Sequence, residues 1–336
     1  MVVPDNTRTF LIHGLVQSTI AATLNLIVVA CNAFNLHKLT PSSFLIFWLC
    51  GCDSGLNILA VYIISYQFHA DSLGLPASQC QALAFFITLF ACSSIGLCTG
   101  LTFFRYLVVV RQWNLSPRFA PRYVLLVFIL CSALVALPFI LDSANVTYGL
   151  PASHCLCTVQ WQDAHLKSKI MVWLCIGFLA VPLSSIGYAY AAIYREMRRS
   201  VKEMDSNGVG ANSSGMLRDE NVGTGRIQVN NGTVPRNKDA LPPCARSKER
   251  EKMHALLIQS IAIVAVFVVG WGPYMANALY QAITQRILSP EVEYAAEAIV
   301  VLMHIVNPIA VMVFDIEMRE QVICVLNTRK NQRSKI

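Results

Sequence analysis

The stretch "GLTFFRYLVVVRQW" (residues 100–113) sets one arginine, Arg105, in a run that is otherwise almost wholly apolar. A guanidinium stays charged at any accessible pH, and burying it in hydrocarbon without a partner costs several kcal/mol. The cost falls where such a run ends, because a long side chain there carries its charged head to water or phosphate while its stem stays in apolar surroundings. The stretch therefore predicts a membrane-spanning helix that finishes near residue 108, with Arg105 close to its polar end.

The surrounding chain supports a membrane setting. Of its 336 residues 55% are hydrophobic and only 13% charged, with a mean hydropathy of +0.52, whereas soluble domains carry about 25% charged residues. About 20 apolar residues cross roughly 30 Å of hydrocarbon as a helix. Seven segments qualify, near 10–33, 42–67, 78–108, 122–141, 170–194, 254–283 and 292–314. The first lacks a basic flank and is too long for a signal peptide's apolar core, so it is read as a span, with the mature chain expected to begin near Met1. The fold class is all-α integral membrane, a seven-helix bundle over residues 1–326.

Lysine and arginine set the expected orientation. Only Arg8, Lys167, Lys169 and Arg286 of the 26 fall at the N-terminus or in the second, fourth and sixth loops. By the positive-inside rule the N-terminus is extracellular and the C-terminus cytoplasmic. The net charge of +7 is this inner-face bias and calls for no nucleic-acid partner. Of the twelve cysteines, Cys50, Cys52, Cys92, Cys98, Cys131 and Cys175 sit in spans as small hydrophobes. Cys80, Cys155 and Cys157 fall on the oxidising face, where a bridge from Cys80 to one of the other two is expected. Asn145 opens the sequon Asn145-Val146-Thr147 on the same face, a glycosylation candidate. Those at Asn114, Asn212 and Asn231 are assigned to the cytoplasm.

Residues 203–247 shift to Gly, Asn, Ser and Pro and read as a disordered third cytoplasmic loop. Its flanks, "YREMRRSVKEM" and "RSKEREKMHALL", read as extensions of helices five and six. Residues 316–326 alternate apolar and charged positions in the manner of a helix on the membrane surface, with Cys324 a palmitoylation candidate, and a short basic tail follows over 327–336. Pro182, Pro273 and Pro308 each remove a backbone hydrogen bond inside a span, which creates pivots. No nucleotide loop, metal cluster or catalytic triad is visible, so an enzyme is not expected. His254 and His304 stand alone and are read as structural.

Six local patterns occur in order, each in its own span. These are Asn25 in "LNLIV", Asp53 ending "HKLTPSSFLIFWLCGCD", and Cys80 placed 25 residues before Arg105. They continue with Pro182 and Tyr190, with "FVVGWGPY" at 267–274, and with Asn307-Pro308. Over essentially its whole length the chain resembles the rhodopsin-like (class A) G-protein-coupled receptors. The resemblance implies a switch at Arg105, Tyr106, Tyr190, Asn307 and Pro308. It implies a transmission set of Ile95, Pro182 and Phe267 beneath a pocket floored by Trp271. In relatives an aspartate at the position of Asp53 joins the positions of Ser94 and Asn307 in a sodium and water site; a protonated Asp53 bonded to Asn307 is the alternative. Implied partners are a heterotrimeric G protein, arrestin, membrane lipids and a small or lipid-like ligand at the plasma membrane.

The ligand candidates are Thr88, Tyr274, Asn277, Tyr294 and Glu297, with Glu293 nearer the rim. "HCLC" resembles the second outer loop of opsins, which favours Cys157 as the partner of Cys80. The retinal-binding lysine of opsins, however, is Val301 here, seven residues before Pro308, so covalent retinal is not expected. Ile87 occupies the position of the carboxylate that aminergic receptors use. Other departures are Phe104 for the acid preceding the arginine, Met253 for an acid in helix six, Phe128 for a fourth-helix tryptophan and Val311 for a seventh-helix tyrosine. Phe104 and Met253 imply a loosely latched receptor with raised basal activity, whereas Phe128 and Val311 put coupling itself in question. A non-signalling receptor, or one holding a chromophore non-covalently, is the alternative. A seven-helix transporter would want related halves and more midplane charge, and shows neither.

Overall fold

The computed structural model describes residues 5–70, 75–113, 116, 118–141, 147–151, 153, 156–161, 166–213, 266–315 and 318–323. Asn145, Cys155, Cys324, His254, Met253 and the basic tail lie outside these residues, as does most of the third loop. Seven long helices follow in order: α1 (Asp5–Ala33), α2 (Pro41–Ala70), α3 (Ala77–Val109), α4 (Phe119–Ile140), α5 (Leu166–Ser213), α6 (266–284) and α7 (Pro290–Phe314). A short α8 (318–323) closes the described chain. Among the described residues six helices are long and apolar enough to cross a bilayer; α6 is described only from residue 266.

α1 packs on α2 and α7, α2 on α3, and α3 runs through the middle against α2, α4 and α5. Two glycines set the α3–α4 spacing. A Cβ on Gly100 would fall 2.1 Å from the ring of Tyr123, and one on Gly96 would fall 2.8 Å from Val127. The Tyr123 hydroxyl uses the closeness to donate to the Gly96 carbonyl at 2.9 Å. Phe128 meets Trp48 edge-on at 5.8 Å. The outward face of α4 carries Leu125, Leu126, Ile129 and Leu130 exposed, which suits hydrocarbon rather than water.

α5 is 48 residues long, about 72 Å at 1.5 Å per residue, roughly twice the hydrocarbon thickness. The sequence puts the change to loop near residue 203, whereas the helix continues to Ser213. Adding residues to a formed helix is far easier than nucleating one, and Val201–Asp205 contain neither Gly nor Pro. After α7 the carboxylate of Asp315 accepts the backbone N–H of Met318 at 3.1 Å, starting α8, and accepts the Ser43 hydroxyl at 3.2 Å, tying that turn to α2. Met318 and Val322 are buried and Ile323 is exposed.

The other end of the bundle holds two short antiparallel strands, β1 (Tyr148–Gly149) and β2 (Thr158–Val159), with Tyr148 opposite Val159. A Cys80–Cys157 disulfide, Cα atoms 5.4 Å apart, fastens this hairpin to the start of α3. Tyr148 is buried and donates its hydroxyl to the Val135 carbonyl of α4 at 2.8 Å. That burial pushes its phenol pKa well above the usual value. The six span cysteines named above are buried free thiols.

Candidate functional site

Beneath the hairpin lies a cavity of about 710 Å3, its open mouth included. Its lid comes from Thr158, Val159 and Trp161, its walls include Ile87, Thr88 and Val301, and its floor is Ile95 and Trp271. Rings connect lid to floor: Trp161 meets Tyr274 at 6.2 Å and Tyr274 meets Trp271 at 5.9 Å, both edge-on. Ile95, Phe267 and Trp271 share one buried cluster that extends to Tyr190 and Val311. Pro182 sits half-buried inside α5.

One carboxylate, Glu297, is found among the residues lining this cavity. It is only 8% exposed, and its Oε2 accepts the Ser153 hydroxyl at 3.0 Å. Glu293, one turn earlier on the same face of α7, accepts the Ser153 backbone N–H at 3.1 Å and the Gln281 amide at 2.9 Å. Asn277 and both glutamates line a smaller adjoining space, and the Asn277 amide donates to the Val292 carbonyl at 3.3 Å. Thr88, Tyr274, Asn277 and Glu297 thus converge as the sequence predicts. Tyr294 does not join them. Its ring stacks on Phe10 at 4.3 Å and its hydroxyl bonds to His13, so it belongs to the α1–α7 contact, where an aromatic partner was available. Ser153, which links hairpin loop to α7, carried no sequence signal.

Val301 puts an isopropyl group on the cavity wall and no lysine appears in the described lining.

Midway along the bundle Asp53 is fully buried, accepting the Ser94 hydroxyl at 2.7 Å on Oδ1 and the Asn307 amide at 3.1 Å on Oδ2. The sequence read His304 as an isolated structural residue. It instead stands 3.7 Å from Asp53 Oδ1, with no exposure to solvent. The spacing to Asn307, three residues on, was a usable signal, since both must lie on one helix face.

At the far end Arg105 is 9% exposed. The Phe104 ring packs against Phe119 at 6.2 Å, and Tyr106 lies between Tyr188, at 6.5 Å, and the Arg111 guanidinium, 5.9 Å from its ring. Tyr190 is buried, and its hydroxyl has no hydrogen-bond partner among the described residues. Val311 is in the same cluster, with no hydroxyl to offer.

The description "7 transmembrane receptor (rhodopsin family)" belongs to a family model that matches residues 24–310. Olfactory receptor 1N2 of Homo sapiens is 21% identical over 181 residues, which covers 51% of this chain and 57% of that receptor's length. The crystal structure of squid rhodopsin resembles this one with a TM-score of 0.72 at 17% identity, covering 96% of this chain and 86% of that one. That likeness concerns the fold.

Proposed function

Because the chain belongs to the rhodopsin family of seven-transmembrane receptors, G-protein-coupled receptors by class, we propose that it senses a small ligand in the lidded cavity and passes the signal to a heterotrimeric G protein. The ligand is mostly apolar and carries one cationic or hydrogen-bond-donating group. The observation that carries this reading is the solitary Glu297 on an otherwise largely apolar wall: the carboxylate would orient the polar group while Ile87 and Val301 take up the apolar body. Such a ligand binds without a covalent bond.

A ligand pressing on Trp271 would shift the packing of Phe267 and Ile95 beneath it, favouring a state in which α5 and α6 separate at the Arg105 end. The opening would admit the C-terminal helix of a G-protein α subunit. The Arg105 end is cytoplasmic in this reading and the disulfide end extracellular, at the plasma membrane, in accord with the lysine and arginine bias. Arrestin would share the opened face, and the basic flanks would meet inner-leaflet lipids.

Nucleotide exchange measured across a panel of G proteins, with lipophilic amines and their neutral isosteres as probes, tests the proposal. Native receptor should respond to at least one amine over its isostere, and Glu297→Gln should remove the preference. Silence toward every G protein, basal activity included, would leave the second reading, a receptor that binds without coupling. The observation that favours it is the Tyr190 hydroxyl, which has no hydrogen-bond partner among the described residues, in the same buried cluster as Val311, which has no hydroxyl to offer.

A further inference from the structure

Two hydrogen bonds reach the Asp53 carboxylate, from Ser94 and Asn307, and a third group, His304, stands 3.7 Å from it. Asn57 fixes its chemistry: the Nδ2 group donates to the Asp53 backbone carbonyl at 2.7 Å and also lies 3.1 Å from His304 Nδ1. An amide nitrogen is only a donor, so Nδ1 must accept, and the ring proton of a neutral His304 sits on Nε2. That nitrogen stands 3.7 Å from Asp53 Oδ1 and has no hydrogen-bond partner among the described residues. The Asn25 amide holds the same residue from behind, donating to the His304 carbonyl at 2.8 Å.

Three N–H or O–H groups therefore converge on one carboxylate: the Ser94 hydroxyl, the Asn307 amide and the His304 imidazole. A hard cation wants the opposite, several oxygens presenting lone pairs in a space large enough to hold it. Here the imidazole Nε2 stands 3.7 Å from Oδ1 and, as the protonated nitrogen, presents no lone pair to an ion at that oxygen. Sodium does not fit this donor set.

We infer that His304 is a built-in substitute for a bound cation, filling the polar core so that the receptor is insensitive to sodium. In the same position it pins three helices, taking bonds from Asn25 of α1 and Asn57 of α2 while belonging to α7. His304 is a positioning residue of the helix bundle, and what it positions is the α7 segment bearing Asn307.

The test is thermal unfolding of purified full-length receptor, without ligand or G protein, in sodium chloride and in choline chloride at equal ionic strength. Native receptor should melt at the same temperature in both. His304→Ser, which opens space and supplies an oxygen, should gain a saturable sodium-dependent rise of about 2–4 °C. Adding Asp53→Asn to that variant should abolish the rise. Sodium stabilisation of the native receptor that is lost in Asp53→Asn would overturn the inference, and this comparison decides the matter even if His304→Ser does not fold. A folded His304→Ser with no sodium response would also overturn it. None of these readings depends on whether the protein couples to a G protein.

Discussion

Asp53 and Glu297 are both carboxylates buried between helices, and their surroundings differ in kind. Asp53 has neighbours on both oxygens: Ser94 and His304 at one, Asn307 at the other. Glu297 is held through one oxygen by Ser153 and forms part of a cavity wall. An acid ringed by the protein's own donors has little left to offer a ligand, whereas one beside open space retains acceptor capacity. The difference assigns the first to holding helices together and the second to recognition.

The disulfide underlies the second site, so breaking it should have the largest effect. Cys80 and Cys157 are 77 residues apart in sequence, and losing a bridge of that span costs about 2–5 kcal/mol. Cys80→Ser should free the hairpin, lower the unfolding temperature and abolish any ligand response, which thermal unfolding and nucleotide exchange would register together. An unchanged response would mean that the hairpin is not the lid of the site.

Exchanging the charge at each acid separates their roles. Glu297→Gln keeps an oxygen for Ser153 but removes the charge, so potency for an amine probe should fall about 10–100-fold with little change in unfolding temperature. Asp53→Asn keeps one acceptor oxygen but turns an NH2, which can only donate, toward a neighbouring donor, and should cost about 1–3 kcal/mol of stability. Parallel losses of potency and stability in both variants would erase the distinction. Ser153→Ala removes only the hydroxyl that holds Glu297, and should lower stability by about 1 kcal/mol while leaving the amine preference in place.

The helices were legible because each is a long apolar run, and prolines and motif spacing put Asp53, Ser94 and Asn307 in register. The pocket residues Thr88, Tyr274 and Glu297 followed from the same register. What escaped were contacts made through space by residues with no periodic signature. The strands of the hairpin are two residues each, too short for alternation to show. Ser153 lies in the connection between them. His304 looked solitary because its partners Asn25, Asn57 and Asp53 come from distant helices. Tyr294 was misplaced because register gives its face on α7 but not the neighbour its ring will choose.

The smallest expected effect lies at the Arg105 end, away from both acids. Phe104 stands where relatives carry an acid beside the arginine, and its ring is half-buried against Phe119. Phe104→Glu would place a carboxylate next to Arg105, and an ion pair whose acid side is half-exposed is worth about 1 kcal/mol. If that pair forms only in the resting state, basal nucleotide exchange should fall about 2–5-fold. Phe104→Leu, which keeps the apolar contact and adds no charge, should leave the baseline near native. A fall in both variants would trace the effect to lost packing on Phe119, and a baseline unmoved by Phe104→Glu would refute the latch, leaving Glu297 and the lidded cavity as the control point that matters for signalling.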